Sequence, residues 1–234
     1  RIMVDGITAN VRHPLESFES DLLIGNGNIV IVYNGTSSSS ITLPTDVNVT
    51  SLRRHPNGQN VIAFTGTTLD YSNTRGSQGK IYFLNTKTAL WDREITVDKQ
   101  IDGSINVGGT IFVTYGQNIG YFDGNGIKFL KRMKNSTVAY NHQLANMAGN
   151  LVVADGREAL ALLDVAGGKA WFRIYKNINN TSTLGCIAYK GTTTSIDTYK
   201  MLYGYGASGV GALSEINYAN SSATSARAIF YSKK

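Results

Sequence analysis

One pattern recurs along this chain: an apolar strand, a turn, a second apolar strand closed by another turn, then a strand carrying aromatic and basic residues. The clearest copy runs Ile111-Phe112-Val113-Thr114-Tyr115, Ile119-Gly120-Tyr121-Phe122-Asp123, Ile127-Lys128-Phe129-Leu130. Short strands repeating at a period of about 40–50 residues indicate a β-propeller. A unit this small cannot bury its own apolar faces and must stack on its neighbours.

Taking the leading strand of each unit as Ile29–Val32, Val61–Phe64, Ile111–Val113, Leu151–Ala154 and Met201–Gly204, the steps are 32, 50, 40 and 50 residues. Second strands follow at Ile81–Leu84, Ile119–Phe122, Ala159–Leu163 and Val210–Leu213, and third strands at Trp91–Ile95, Ile127–Leu130, Ala170–Ile174 and Ala226–Phe230. Asn, Asp and Gly in the intervening turns tolerate the positive φ of tight hairpins. A longer offset in the second unit predicts a surface loop over Thr67–Gly79. A polar outer strand is expected to begin near Arg93–Val97 or Ser136–Tyr140. Several strands are apolar at every position, which predicts burial on both faces between neighbouring blades.

The fold expected is therefore all-β, a propeller of about five four-stranded blades over 21–234, with residues 1–20 as a lead-in. A partial larger propeller and a β-sandwich are the alternatives. The only helical expectation is a single turn over Asn141–Met147.

Charged residues are 16% of the chain and the net charge is +6. That excess is compatible with a nucleic-acid partner, but the cations are scattered. The densest groups are Lys128, Lys131, Arg132 and Lys134, then Arg53-Arg54-His55, and each reads first as a solvated strand face. A single cysteine, Cys186, in an apolar setting, excludes an intrachain disulfide and reads as a buried, inert thiol. No run approaches eighteen apolar residues, so no membrane-spanning helix is expected. The sequence opens at Arg1 without a methionine or a signal sequence, and is expected to be an internal portion or fragment of a longer polypeptide.

The search for chemistry leaves the site assignments empty: no catalytic, cofactor-binding or metal residue is nominated. Asp70, Asp102, Asp123, Asp155 and Asp164 are read as turn residues bonding the local backbone, and nothing in spacing pairs Asp197 with Glu215. His13, His55 and His142 share no ligand spacing and are read as surface or capping residues. Gly204-Tyr205-Gly206-Ala207-Ser208-Gly209 imitates a dinucleotide fingerprint, but the strand that follows it denies the helix such a loop requires. Acceptor sequons at Asn34, Asn48, Asn135, Asn179, Asn180 and Asn220 carry no weight in a chain so rich in Asn, Ser and Thr. Trp91 and Trp171, at comparable positions in two units, with Tyr115, Tyr121, Tyr203, Tyr205 and Tyr218, suit sugar stacking. Blade packing explains them at least as well, because the corresponding turns differ from unit to unit.

The run Gly108-Gly109-Thr110-Ile111-Phe112-Val113 with Ile119-Gly120-Tyr121-Phe122-Asp123 resembles the blade hairpins of tail hub or nozzle proteins of short-tailed bacteriophages. The later segments Ala170-Trp171-Phe172-Arg173-Ile174, Leu184-Gly185-Cys186-Ile187-Ala188-Tyr189, Met201-Leu202-Tyr203-Gly204 and Ala226-Arg227-Ala228-Ile229-Phe230-Tyr231-Ser232-Lys233 keep a similar order. This resemblance of pattern covers about residues 105–234. It implies a non-enzymatic structural component of the virion tail, without cofactor, in a homo-oligomeric ring with other tail proteins around the DNA exit channel. It also implies that Lys128 and Lys131 can meet packaged DNA through phosphate contacts, with a rim interface or plain solvent as equal alternatives. The chain departs from a full-length member in being short and in lacking the platform segments on the portal side. The alternative is a carbohydrate-binding propeller, a lectin or phage receptor-binding module with a glycan partner. A glycosidase, the third reading, lacks paired carboxylates.

Overall fold

A computed structural model of the chain describes residues 7–8, 13–66, 78–132, 143–147, 150–155, 158–162, 172–177, 182–191, 198–207, 210–219 and 230–233. Every element in this set is a β-strand, and the twenty strands form five four-stranded antiparallel sheets. The first sheet comprises β1 (Leu15–Phe18), β2 (Asp21–Asn26), β3 (Ile29–Tyr33) and β4 (Ser38–Thr42). The second holds β5 (Asn48–Arg54), β6 (Val61–Gly66), β7 (Gly79–Asn85) and β8 (Leu90–Val97). The third holds β9 (Ile101–Val107), β10 (Thr110–Tyr115), β11 (Asn118–Phe122) and β12 (Ile127–Arg132). The fourth holds β13 (Gln143–Met147), β14 (Asn150–Asp155), β15 (Glu158–Leu162) and β16 (Phe172–Asn177). The fifth holds β17 (Ser182–Gly191), β18 (Thr198–Ala207), β19 (Val210–Ala219) and β20 (Phe230–Lys233). In each sheet the strands pair in chain order, the meander of a propeller blade.

The chain divides into two compact units, Arg1–Leu130 and Lys131–Lys234. In the first, the second blade explains why its strands are apolar at every position. Val61 and Ala63 of β6, with Tyr82 and Leu84 of β7, join Leu23, Val30, Ile41 and Leu52 in the core toward the first blade. The alternate residues Ile62, Phe64, Ile81 and Phe83 join Ile101, Ile111, Val113 and Phe122 in the core toward the third. Period-two alternation sends successive side chains to opposite faces, so a strand apolar throughout can be satisfied only between two neighbours. Each fully buried Ile, Leu or Phe contributes about 1.5–3 kcal/mol here. In the second unit Leu151, Val152 and Val153 of β14 are all buried, and β13 and β14 lie against β17.

The phase of the repeat differs from the sequence expectation. The strands taken as leading, at 61, 111, 151 and 201, are the second of their blades, and Ile29–Tyr33 is the third of the first blade. Second strands in fact begin at Asp21, Val61, Thr110, Asn150 and Thr198, steps of 40, 49, 40 and 48 residues, more even than the sequence suggested. The strands missed are the first ones, such as β5 (NVTSLRR) and β9 (IDGSINV), whose polar residues hid them among the turns, together with β2 and β4 of the first blade. Arg93–Val97 does lie in the outer strand of its blade, but that strand is β8, which begins at Leu90 and also contains Trp91–Ile95. Residues 15–18, placed in the lead-in, pair with β2 as the first strand of the first blade. The helical turn expected over Asn141–Met147 is replaced by β13, because pairing of residues 143–147 with β14 outweighs local propensity. The loop expected at 67–79 lies outside the described residues up to 77, as do Ser136–Tyr140.

Candidate functional site

The polar residues that hid the first strands also tie the blades together. Arg53 on β5 approaches Glu16 of β1 at 3.5 Å (Nη1 to Oε2) and donates through Nη2 to the Ser104 carbonyl of β9. One side chain thus bonds the first strands of three successive blades. Arg54 donates through Nε to the Ser17 carbonyl at 2.5 Å. The Ser51 and Ser104 hydroxyls share a buried hydrogen bond of 2.6 Å, and Thr50 Oγ1 donates to the Ile101 carbonyl at 2.6 Å. Burial holds the Arg53 guanidinium below the usual arginine range, and the Glu16 carboxylate opposes that shift. Arg53 is therefore not a residue of a solvated strand face, as expected from the sequence, but three-quarters buried by side chain (25% exposed).

A second cluster fills the seam between the second and third blades. The His55 ring lies 5.6 Å from Phe83 and 6.0 Å from Phe122. Arg93 sets its guanidinium 5.2 Å above the Phe83 ring and reaches Asn125 Oδ1 at 3.2 Å in the β11–β12 turn. His55 Nδ1 accepts from the Asn57 amide at 3.0 Å, capping its turn as expected. His13 Nδ1 donates to the Gly25 carbonyl at 3.0 Å. His142 lies outside the described residues.

The third arrangement is on β8. Its register against β7 pairs Tyr82 with Glu94 and Phe83 with Arg93, then shifts, so that Leu84 faces Trp91 and Asp92 is the extra residue of a β-bulge. The bulge places Trp91 on the face that carries Glu94, Tyr82 and Lys80. Just before it, Ala89 adopts a left-handed φ of 56°, rare for a residue other than glycine. Trp91 packs T-shaped on the fully buried Tyr82 at 5.2 Å while remaining 37% exposed. Lys80 pairs with Glu94 at 3.3 Å. Burial, then the Glu94 and Asp46 carboxylates, push the Tyr82 phenol well above the tyrosine range.

Other sequence candidates fall as follows. Asp123 Oδ1 accepts from the Asn125 and Gly126 amides, both at 2.9 Å, which holds its carboxyl below the usual range with further help from Lys128. Its turn role is as expected. Asp102 is not in a turn but on β9. Asp155 closes β14, and Glu215 sits on β19 opposite Leu202. Asp70, Asp164, Asp197 and Trp171 lie outside the described residues. Tyr115 is buried, Tyr121 half-buried; Tyr203, Tyr205, Tyr218 and Cys186 are placed on strands without described side chains. Residues 204–207 and 210–213 belong to the paired strands β18 and β19, so the fingerprint-like glycines mark a hairpin. Lys128 is exposed on the outer strand β12, 3.4 Å from Asp123. Among the described residues no group of three His, Cys, Asp or Glu side chains is placed to hold a metal, and no helix is long and apolar enough to cross a membrane. Glu16, Ser51 and Ser104 were missed. Their partners are 37 to 53 residues away, and no local spacing betrays such a bond.

No family model matches this chain, and no curated protein matches it. Its likeness is to solved structures. Kuenenia stuttgartiensis hydrazine synthase aligns with a TM-score of 0.57 at 11% identity, over 94% of this chain and 67% of that one. BBS1N, in complex with ARL6DN, aligns with a TM-score of 0.54 at 12% identity, over 86% and 61%. The Aleuria aurantia lectin with alpha-methyl-L-fucoside aligns with a TM-score of 0.51 at 12% identity, over 95% and 77%. The chain thus spans about two thirds or less of the first two. At such identities the likeness shows the β-propeller fold alone.

Proposed function

We propose that this chain is a non-enzymatic interaction scaffold, the propeller domain of a tail hub or nozzle protein of a short-tailed bacteriophage, located in the virion tail. The observation that carries the scaffold reading is Arg53. Its buried charge bonds to the neighbouring blades and stiffens their first strands, where a catalytic charge would be held toward a substrate. The phage assignment rests on the pattern shared over residues 105–234. Its partners are further copies of the chain and other tail proteins in a ring around the exiting DNA, with Lys128 and Lys131 as phosphate contacts. Fold neighbours include BBS1N, solved holding a protein partner. Electron cryomicroscopy of the full assembly tests this: the chain is expected in a symmetric ring below a portal. A free monomer without tail partners would refute it.

A second reading, a carbohydrate-binding propeller, has one specific support: likeness over 95% of the chain to a lectin solved with a fucoside. A glycan array of the whole chain tests it.

A further inference from the structure

We infer that the face of β8 turned toward the first blade is a binding site for a neutral pyranose, with Trp91 as its stacking platform and the Lys80–Glu94 pair as its hydrogen-bonding arms. The inference rests on the carbohydrate-binding reading and is independent of the scaffold one.

Two backbone irregularities converge on Trp91. On an unbroken strand, positions 91 and 94 would point to opposite faces, because their separation is odd. The bulge at Asp92 reverses that and brings Trp91 over Tyr82, on the same face as Glu94 and its partner Lys80. Ala89, two residues before the tryptophan, holds a left-handed φ. Bulges commonly re-aim a side chain near a functional site, and a strained backbone is an observation from which function can be inferred. Covering Tyr82 would need only an aliphatic side chain; here a tryptophan is brought there and left 37% exposed.

The chemistry of the surroundings selects the ligand. A pyranose has an apolar C–H face that packs on an aromatic ring, and an equatorial fringe of hydroxyls that both donate and accept. The Glu94 carboxylate accepts and the Lys80 ammonium donates, 3.3 Å apart on the same face as the ring. Both side chains are less than a third exposed, so a ligand reaches them partly desolvated, where such bonds are stronger. On the side of the first blade β4 lies against β8, and Ser39 shares the face of β4 that carries the buried Ile41. The two arms cancel in charge, and the next group near Tyr82 is the Asp46 carboxylate. An anionic sugar would be repelled, and a neutral one meets the paired arms without needing a counter-charge. A protein partner is the competing occupant, since the part-exposed ring is itself an apolar surface.

The chain has two tryptophans, so Trp171→Phe leaves Trp91 as the sole indole, excited selectively at the red edge of its absorption. This variant is titrated with methyl glycosides of glucose, galactose, mannose, fucose and N-acetylglucosamine, and the unaltered chain is screened on a glycan array. A saturable change in Trp91 emission is expected with one of the neutral glycosides, at a Kd of roughly 0.1–10 mM. Trp91→Ala should weaken array binding at least about tenfold. Glu94→Gln, which keeps the shape of the side chain, should weaken it about five- to tenfold with the thermal midpoint little changed. Array binding that survives both substitutions would overturn this site and leave the carbohydrate reading standing. No binding on the array would overturn both. Self-association abolished by Trp91→Ala, with no emission response to any sugar, would assign the face to protein contact and overturn the inference.

Discussion

Replacing Arg53 by methionine removes the charge that joins three blades while keeping most of the apolar stem. Two hydrogen bonds from the guanidinium are lost, to the Ser104 and Leu52 carbonyls, together with the contact to Glu16. Charge-assisted bonds are worth about 1.5–3 kcal/mol each net. The ion pair adds about 1 kcal/mol, since both partners keep some solvent contact. Against this, Arg53 Nε is buried without a hydrogen-bond partner, and its removal returns about 1–3 kcal/mol of desolvation. The net expectation is a destabilisation of about 1–6 kcal/mol, centred on about 3.5. Urea unfolding of the whole chain measures it: with m near about 3 kcal/mol per molar, the midpoint should fall by about 1 M at unchanged slope. The cycle with Glu16→Gln should show a coupling of about 1 kcal/mol. A midpoint unmoved by Arg53→Met would refute the reasoning, because the guanidinium would then contribute no more than its stem.

Ser51→Ala or Ser104→Ala alone strands a buried hydroxyl and should cost about 1–3 kcal/mol, whereas the double variant should cost less than the two single losses together, in the same unfolding assay. Gly120→Ala places a methyl against the Lys128 carbonyl and 2.7 Å from Ile127 Cγ2, so β11 must shift; a loss of about 3 kcal/mol or more is expected from thermal unfolding, and a loss under about 0.5 would refute the close approach. Burial raises the phenols of Tyr82 and Tyr115, with carboxylates adding to the shift. The folded chain therefore binds more protons than the unfolded one above pH of about 10, and stability should be constant below that value and fall as pH rises past it. Ultraviolet titration should find these two tyrosines still un-ionised when exposed ones have titrated. For Asp123 the sign is opposite: its carboxyl is held low, so the turn is secure above pH of about 4 and loosens as pH falls through its own lower value. Protection factors of the Asn125 and Gly126 amides should fall over that acid range in the native chain, and Asp123→Ala should show the low protection at neutral pH.

The sequence by itself determined that this is an all-β chain of about five similar units. The reasons are local: continuous apolar strands such as Val61–Phe64 require two covered faces, and Asp, Asn and Gly mark the hairpins. The turn role of Asp123 and the capping role of His55 were legible for the same reason, since their partners lie two or three residues away. Tertiary structure alone decided the phase of the blades, the burial of Arg53 and the aim of Trp91. The first strands of the first three blades carry polar residues whose hydrogen bonds are completed by one another, across separations such as Ser51 to Ser104 that leave no trace in a local window. The direction of Trp91 depends on one unpaired residue, Asp92, and the register that makes it a bulge exists only once β7 and β8 have paired.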